Sequence, residues 1–81
     1  MTVNDAVAKR VAELLRERGM SQYRLEQSSG IEHGHMQWIM SGKSKTVTLT
    51  TVMMLARGFE MSLTDFLSDE VFRLAALDLD L

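Results

Sequence analysis

The chain has 81 residues, the size of a single domain, and a formal net charge of −2 at pH 7. It contains no cysteine, which excludes disulfides, thiolate metal sites and a cysteine nucleophile and fits a reducing compartment. No apolar run approaches the roughly 20 residues that a membrane span requires, and the N-terminus lacks the order of a signal peptide. We therefore expect a cytoplasmic protein that has no membrane partner.

The charge is unevenly distributed along the chain. Residues 1–57 contain eight basic and five acidic side chains, a balance of +3, whereas residues 58–81 contain one basic and six acidic side chains, a balance of −5. A basic body with an acidic tail is compatible with nucleic acid on one face and a protein contact or solvent on another. The small positive balance predicts weak non-specific binding to DNA that falls steeply with salt.

The first predicted helix covers residues 3–18. Four of its apolar side chains recur at steps of four, four and three, which is the spacing of one helical face. They are Val3, Val7, Val11 and Leu14. Thr2 and Asp5 have the spacing of a capping box at its start, and Gly19 is a typical residue after the last helical turn.

Residues 20–43, MSQYRLEQSSGIEHGHMQWIMSGK, predict two short helices. Ser21 caps a helix over residues 22–28, Gly30 lies in the turn that follows, and a second helix covers residues 33–40. The side chains spaced to face inward are Ile31, Met36 and Ile39. Two short helices joined by a glycine-containing turn form a helix-turn-helix, a shape that fits the DNA major groove.

The next part of the chain adds two more helices after a polar loop over residues 41–47. Thr48 caps a fourth helix that ends near Phe59, and Ser62 opens a short fifth helix. The predicted inward side chains of the fourth helix are Leu49, Val52, Met53 and Ala56. Met54 then faces outward, as a candidate contact for another protein. The chain has no proline and little strand-like alternation, so the predicted fold is all-α.

Residues 68–81 contain too many apolar side chains for a free tail. The simplest interpretation is an extension that packs on its own domain or forms a dimer, because a small domain needs extra burial. The alternative is a docking tail for another protein. We therefore divide the chain into a helix-turn-helix domain over residues 1–67 and a C-terminal extension over residues 68–81.

This order of features, from Val7 to Leu67, resembles the Cro/repressor-type (XRE-like) helix-turn-helix DNA-binding family. The matching residues in and around the motif are Met20, Ser21, Gln22, Leu25, Gly30, Ile31, Met36, Ile39, Ser41, Gly42 and Lys43. Those after it are Thr48, Leu49, Leu55, Ala56, Met61, Ser62, Leu63, Asp65 and Phe66. The resemblance implies an all-α, five-helix Cro/repressor-like domain with a short C-terminal extension.

In that family the second helix of the motif lies in the major groove, and its outward face touches base edges. The resemblance therefore implies a sequence-specific DNA-binding transcriptional regulator, with double-stranded DNA as its partner and a homodimer reading a pseudo-palindromic site. Carried over position by position, the base-facing residues are Glu32, His33, Gly34, Gln37 and Trp38. The phosphate-facing residues are Gln22, Ser41, Lys43 and Lys45.

Nothing in the sequence indicates catalysis or a metal site. It has no glycine-rich phosphate loop and no nucleophile elbow, and a chain of 81 residues has little room for a substrate pocket. His33 and His35 are two residues apart, so they point to different sides of a helix, and no cysteine joins them. We expect neither enzymatic activity, nor a cofactor, nor a bound metal.

Four positions depart from the family pattern. Leu15 and Met40 replace a charged pair that is common in the family, and we predict that their side chains touch, within roughly 4.5 Å, as a packed apolar pair. Glu26 and Ser29 stand where the family prefers alanine and leucine. These two residues predict a looser contact of the second helix with the rest of the domain.

The predicted reading face leaves a second interpretation open. Glu32 repels phosphate, although a carboxylate can also cap a helix or accept from a cytosine amino group. Gly34 offers no side chain, although it can let the backbone approach the groove closely. Trp38 is either an outward contact for DNA or a partly buried core aromatic. Together with the acidic net charge and an outward Met54, these features define the alternative function, a protein–protein interaction module with a weakened DNA face.

Overall fold

The computed structural model describes residues 1–43 and 46–79, and within them the chain forms five α-helices. These are α1 (Val3–Arg18), α2 (Gln22–Ser29), α3 (His33–Ser41), α4 (Leu49–Gly58) and α5 (Leu63–Phe66). Two short 3-10 helices, Glu70–Phe72 and Leu74–Ala76, follow them. The described part of the chain contains no strand, and the predicted all-α, five-helix fold is confirmed.

Local signals set the ends of the first three helices. At α1 the backbone N–H of Asp5 donates to Thr2 Oγ1 at 3.1 Å and the N–H of Thr2 donates to the Asp5 carboxylate at 3.0 Å, which completes the predicted capping box. The second bond also lowers the pKa of Asp5 from its ordinary value. Gly30 and Gly42 end α2 and α3 with φ of 80° and 71°, a left-handed conformation that glycine adopts at little cost.

A single apolar cluster holds the helices together. Helix α2 packs against α4, and α1 packs against α3. The core side chains are Val7, Val11, Leu14, Leu25, Ile31, Met36, Ile39, Val52, Leu55, Ala56, Phe59 and Phe66. Val3, in the first turn of α1, was predicted to share its inward face, but it is 38% exposed and does not belong to this cluster.

The predicted inward face of α4 is wrong at two positions. Leu49 and Met53 are 62% and 52% exposed. Met54, predicted to face outward as a protein contact, is half-buried and packs against the core instead. The helix is therefore rotated about its axis relative to the orientation that its apolar pattern predicts.

The face that α4 buries includes a threonine and a glycine. Thr51 Oγ1 lies 3.0 Å from Thr48 Oγ1, so its buried hydroxyl is hydrogen-bonded. Gly58 faces α2 so closely that a Cβ there would lie 2.8 Å from Leu25 Cδ1 and 2.9 Å from Ser29 Cβ. Ser29 is fully buried in this contact. The expectation that Ser29 loosens the packing of α2 is wrong, because its small side chain and Gly58 let α2 and α4 approach closely.

A buried arginine joins α1 to α5 and to the segment that follows. Arg10 is 9% exposed, and its Nε and Nη2 donate to Phe66 O and Asp65 O at 2.9 and 3.0 Å. Its Nη1 lies 3.3 Å from the Asp69 carboxylate. The guanidinium also lies 5.9 Å from the centroid of the Phe66 ring. Arg10 therefore supplies the donor for the Phe66 carbonyl and a further donor for the Asp65 carbonyl, which also accepts from Ser68 Oγ at 2.8 Å.

The C-terminal extension folds back on its own domain. Phe72 packs against the core, with its ring centroid 5.9 Å from that of Phe66. The backbone N–H of Asp78 donates to Met1 O at 2.9 Å, and the N-terminal ammonium lies 3.3 Å from the Asp78 carboxylate. Through these contacts the extension packs on its own domain. The domain boundary after residue 67 and a role of the extension in dimerisation stay predictions.

Leu15 of α1 and Met40 of α3 lie on two helices that pack against each other. Both side chains are half-buried and pack against the core rather than pointing into solvent. This agrees with the predicted register of α3. Direct contact between the two side chains stays a prediction.

Candidate nucleic-acid interface

The residues predicted to face DNA bases all lie on the exposed side of α3 and its N-cap. They are Glu32, His33, Gly34, Gln37 and Trp38, which we call the outer face of α3. The opposite side of the helix carries Met36 and Ile39, which are 0% and 2% exposed. Trp38 is 56% exposed, so the alternative in which it is a core aromatic is wrong. Helix α3 thus packs with one side and leaves the other free for a ligand.

A shallow groove of about 270 Å³ crosses the outer face of α3. It is lined by Gly34, Gln37, Trp38, Ser41 and Lys43. The structure therefore brings together three predicted base-facing residues and two predicted phosphate-facing ones. A Cβ added at Gly34 would meet no atom of the described residues within 4 Å outside its own helix backbone. The missing side chain leaves this helix backbone open to close approach from outside.

Hydrogen bonds at the end of α3 fix the start of the loop that follows. The Ser41 hydroxyl donates to Trp38 O at 2.8 Å and accepts from the backbone N–H of Lys43 at 3.2 Å. Ser41 therefore orients the backbone of Lys43, whose side chain is exposed. Lys45, also predicted to face phosphate, lies outside the described residues. At the other end, Glu32 is the N-cap of α3, but its carboxylate accepts no capping hydrogen bond from the described backbone.

Gln22 connects α2 to the outer face of α3. Its Nε2 lies 3.1 Å from the Glu26 carboxylate and 3.2 Å from Gln37 Oε1, so both amide protons are used within the protein. The predicted contact of Gln22 with phosphate stays a prediction, and the side-chain amide protons that it would use are already engaged. The side chain instead holds Gln37 in place.

Glu26 is a functional candidate that sequence reasoning missed. It is 8% exposed, and its carboxylate lies 2.9 Å from Nδ1 of His33, whose side chain is 68% exposed. The hydrogen bond with His33, and then that from Gln22, lowers the pKa of Glu26. The available signal was a glutamate in the inward phase of α2 with a histidine seven residues later. Glu26 does not loosen the packing of α2, because it links α2 to α3.

The free energy of unfolding should depend on Glu26 in a defined pH range. The ordinary pKa of the group is 4.5 and its folded-state pKa is lower. Its ionised form therefore contributes stability above about pH 4.5, and this contribution is lost as pH falls through the lower folded-state pKa. We expect Glu26→Gln to be less stable than the wild type at neutral pH and the difference to shrink in acid. Urea unfolding at a series of pH values measures this; a constant difference would contradict the pairing.

The described residues contain no group of three or more histidine, aspartate or glutamate side chains placed to hold a metal ion. In the same part of the chain, no helix combines the length and the apolar character needed to cross a bilayer.

The geometry defines a class of protein, the helix-turn-helix. Two short helices are joined by a left-handed glycine, and the second has an apolar inner side and an exposed outer face. The family model of the Cro/C1-type HTH DNA-binding domain matches residues 10–71, and the chain belongs to this family. The resemblance to Cro/repressor-type proteins is thereby confirmed.

Such DNA-binding domains are typically not enzymes. No curated protein and no solved structure matches the chain.

Proposed function

We propose that the protein is a sequence-specific transcriptional regulator that inserts α3 into the major groove of double-stranded DNA. The observation that carries the proposal is the outer face of α3, which is exposed along its length and continuous with a groove that ends at Lys43. An exposed helix of this size fits the width of the major groove. Family membership supports binding to DNA, and the exposed side chains supply the means of choosing a sequence.

The polar and apolar groups of this face have separate roles in the proposal. Trp38 offers an apolar surface for the methyl group of thymine, and Gln37 and His33 offer hydrogen-bonding atoms to base edges. Glu32 accepts from a cytosine amino group. Phosphates are bound by the backbone N–H of Gln22 and by the loop after α3, where the contacts are Ser41, Lys43 and Lys45.

A homodimer would place two copies of α3 on successive turns of one DNA face, where they read a pseudo-palindromic site. The C-terminal side of the molecule supports this part of the proposal, because it leaves apolar side chains uncovered. Leu67, Leu74 and Leu79 are 38%, 74% and 51% exposed. Sedimentation analysis with and without DNA tests the stoichiometry. The family resemblance implies a bacterial or phage setting, and we also propose that the protein works in the cytoplasm, where such DNA is transcribed.

Binding to a random-sequence duplex at several salt concentrations tests the DNA-binding activity. We expect binding at low salt, with the logarithm of the association constant falling linearly against that of the salt concentration. Lys43→Ala should weaken binding to all sequences alike and reduce the salt slope by about one unit. Trp38→Ala should instead blur the preference among duplexes selected from a random pool. Lys9→Ala removes an exposed α1 lysine that is not a predicted contact, so it is the control.

Either of two results would contradict the proposal. If the wild type does not bind duplex DNA at low salt, the alternative function is favoured, a protein–protein interaction module on the same scaffold. The observation behind that alternative is the exposure of Leu49 and Met53, one helical turn apart on α4. If Lys43→Ala changes sequence choice and Trp38→Ala does not, the proposed roles are reversed.

Gly34→Ala should change stability and DNA affinity in opposite directions. Alanine favours a helix over glycine by about 1 kcal/mol, and the added methyl group meets open space in the free protein, so the free energy of unfolding should rise. The same methyl group occupies the place where the DNA approaches the backbone, so affinity should fall. Urea unfolding and duplex titration measure the two effects. An affinity equal to that of the wild type would show that DNA does not approach this position.

A further inference from the structure

We propose that Glu26 is a positioning residue that fixes the tautomer of His33 and thereby sets which base edge His33 reads. This inference rests on the proposed function, because it concerns a residue of the outer face of α3. The group that His33 would bind is the exocyclic amino group of adenine or cytosine in the major groove.

The carboxylate of Glu26 can only be the acceptor in its hydrogen bond with His33. An ionised carboxylate accepts hydrogen bonds and donates none. The atom that faces it at 2.9 Å is Nδ1 of His33, so Nδ1 carries the proton. In the neutral ring the other nitrogen, Nε2, is then an acceptor with a free lone pair.

The carboxylate is itself held in place. Glu26 is 8% exposed, and the oxygen that accepts from His33 also accepts from Gln22 Nε2 at 3.1 Å. The same amide nitrogen of Gln22 lies 3.2 Å from Gln37 Oε1. His33 is thus tied directly to the Glu26 carboxylate, and Gln37 is linked to the same carboxylate through the Gln22 amide. The His33 side chain is 68% exposed, which leaves Nε2 accessible to a group outside the protein.

An acceptor at this position discriminates between bases. In the major groove, adenine N6 and cytosine N4 are donors, whereas guanine O6 and N7 and thymine O4 are acceptors. His33 with its proton on Nδ1 pairs with the two donors and leaves an acceptor facing an acceptor at guanine or thymine. A single hydrogen bond of this kind gives about a two- to tenfold preference. Without the Glu26 carboxylate, the ring is free to present either a donor or an acceptor.

Nitrogen NMR of the imidazole rings tests the tautomer without DNA. At about pH 8.5, well above the ordinary pKa of histidine, the shifts and couplings of the two ring nitrogens show which one carries the proton. The chain has two histidines, and His35, which is exposed and has no ion-paired carboxylate among the described residues, is an internal reference. We expect the proton of His33 on Nδ1 in the wild type. In Glu26→Gln, whose amide can donate as well as accept, we expect a mixture like that of His35.

Selection of bound duplexes from a random pool at the same pH tests the consequence for reading. The wild type and Glu17→Gln, which removes an exposed carboxylate of α1, should both prefer adenine or cytosine at one position of each half-site. Glu26→Gln should lose this preference by about two- to tenfold and gain guanine there, with the other positions unchanged. If Glu26→Gln does not fold, His33→Ala alters an exposed side chain and should remove the same preference.

The possible failures are distinguishable. A His33 proton on Nε2 in the wild type, or a ring that behaves as His35 does, overturns the positioning role of Glu26 whether or not DNA binds. The expected tautomer with unchanged selection by Glu26→Gln overturns the reading role. If the wild type binds no duplex at low salt, the proposed function fails and the reading role of His33 fails with it, while the spectra still decide the tautomer.

Discussion

Replacing Arg10 by alanine should lower the free energy of unfolding by about 2–4 kcal/mol, because two hydrogen bonds from a buried charged group and one partly buried ion pair are lost together. The loss is large because Arg10 makes three different bonds at once. Its removal leaves the Phe66 carbonyl without its donor and the Asp69 carboxylate without its counter-ion, and it takes one donor from the Asp65 carbonyl, which also accepts from Ser68 Oγ. Urea unfolding followed by circular dichroism measures the change.

Arg16→Ala provides the matched control for this experiment. Arg16 lies on the same helix, carries the same charge and is exposed, so its replacement should change the free energy of unfolding by no more than about 0.5 kcal/mol. Hydrogen exchange adds a local readout, since Arg10→Ala should release the amides of the Glu70–Phe72 turn before those of α3. Equal effects of the two replacements would show that Arg10 does not join the extension to α1.

Gly58→Ala should destabilise the fold by about 1–3 kcal/mol, the range found when extra atoms are forced into a packed core. The new Cβ would lie 2.9 Å from Ser29 Cβ and 3.2 Å from the Ser29 Cα. Because one of these atoms is backbone, rotating a side chain cannot relieve the contact, and α2 must move away from α4. Denaturant unfolding of the variant measures the loss.

Gly34→Ala is the control for Gly58→Ala. Both glycines lie near a helix end and neither has a positive φ, so alanine can adopt the backbone conformation of both positions, with an intrinsic advantage of up to about 1 kcal/mol. Only Gly58 faces atoms that a Cβ would overlap, whereas Gly34 faces open space. The two replacements should therefore change stability in opposite directions. If both stabilise the protein, the close approach of α2 and α4 at Gly58 is not required by the fold.

The sequence predicts the helix boundaries well because the signals are local. Ser21, Thr48 and Ser62 each accept a backbone hydrogen bond at the start of a helix, within three residues of their own position. Caps of this kind need no knowledge of the rest of the fold. Glu60 is the exception, because it stands where a glycine is usual after a helix and still adopts a φ of 57°.

The features that the sequence does not predict depend on contacts between distant elements. The apolar pattern of α4 favours Leu49 and Met53 as core residues, but the orientation of the helix follows from the close contact between Gly58 and α2. The bond of Glu26 to His33 likewise requires the angle between α2 and α3. The family pattern indicates only that Glu26 is unusual, whereas its partner His33 is set by the three-dimensional arrangement of the two helices.

Trp38 is the only tryptophan in the chain, and its side chain is already more than half exposed in the folded protein. Its emission should therefore change little when the domain unfolds and strongly when a ligand covers the groove beside it. The protein carries an intrinsic fluorophore at the surface where binding is proposed, so occupancy can be followed by titration without a dye.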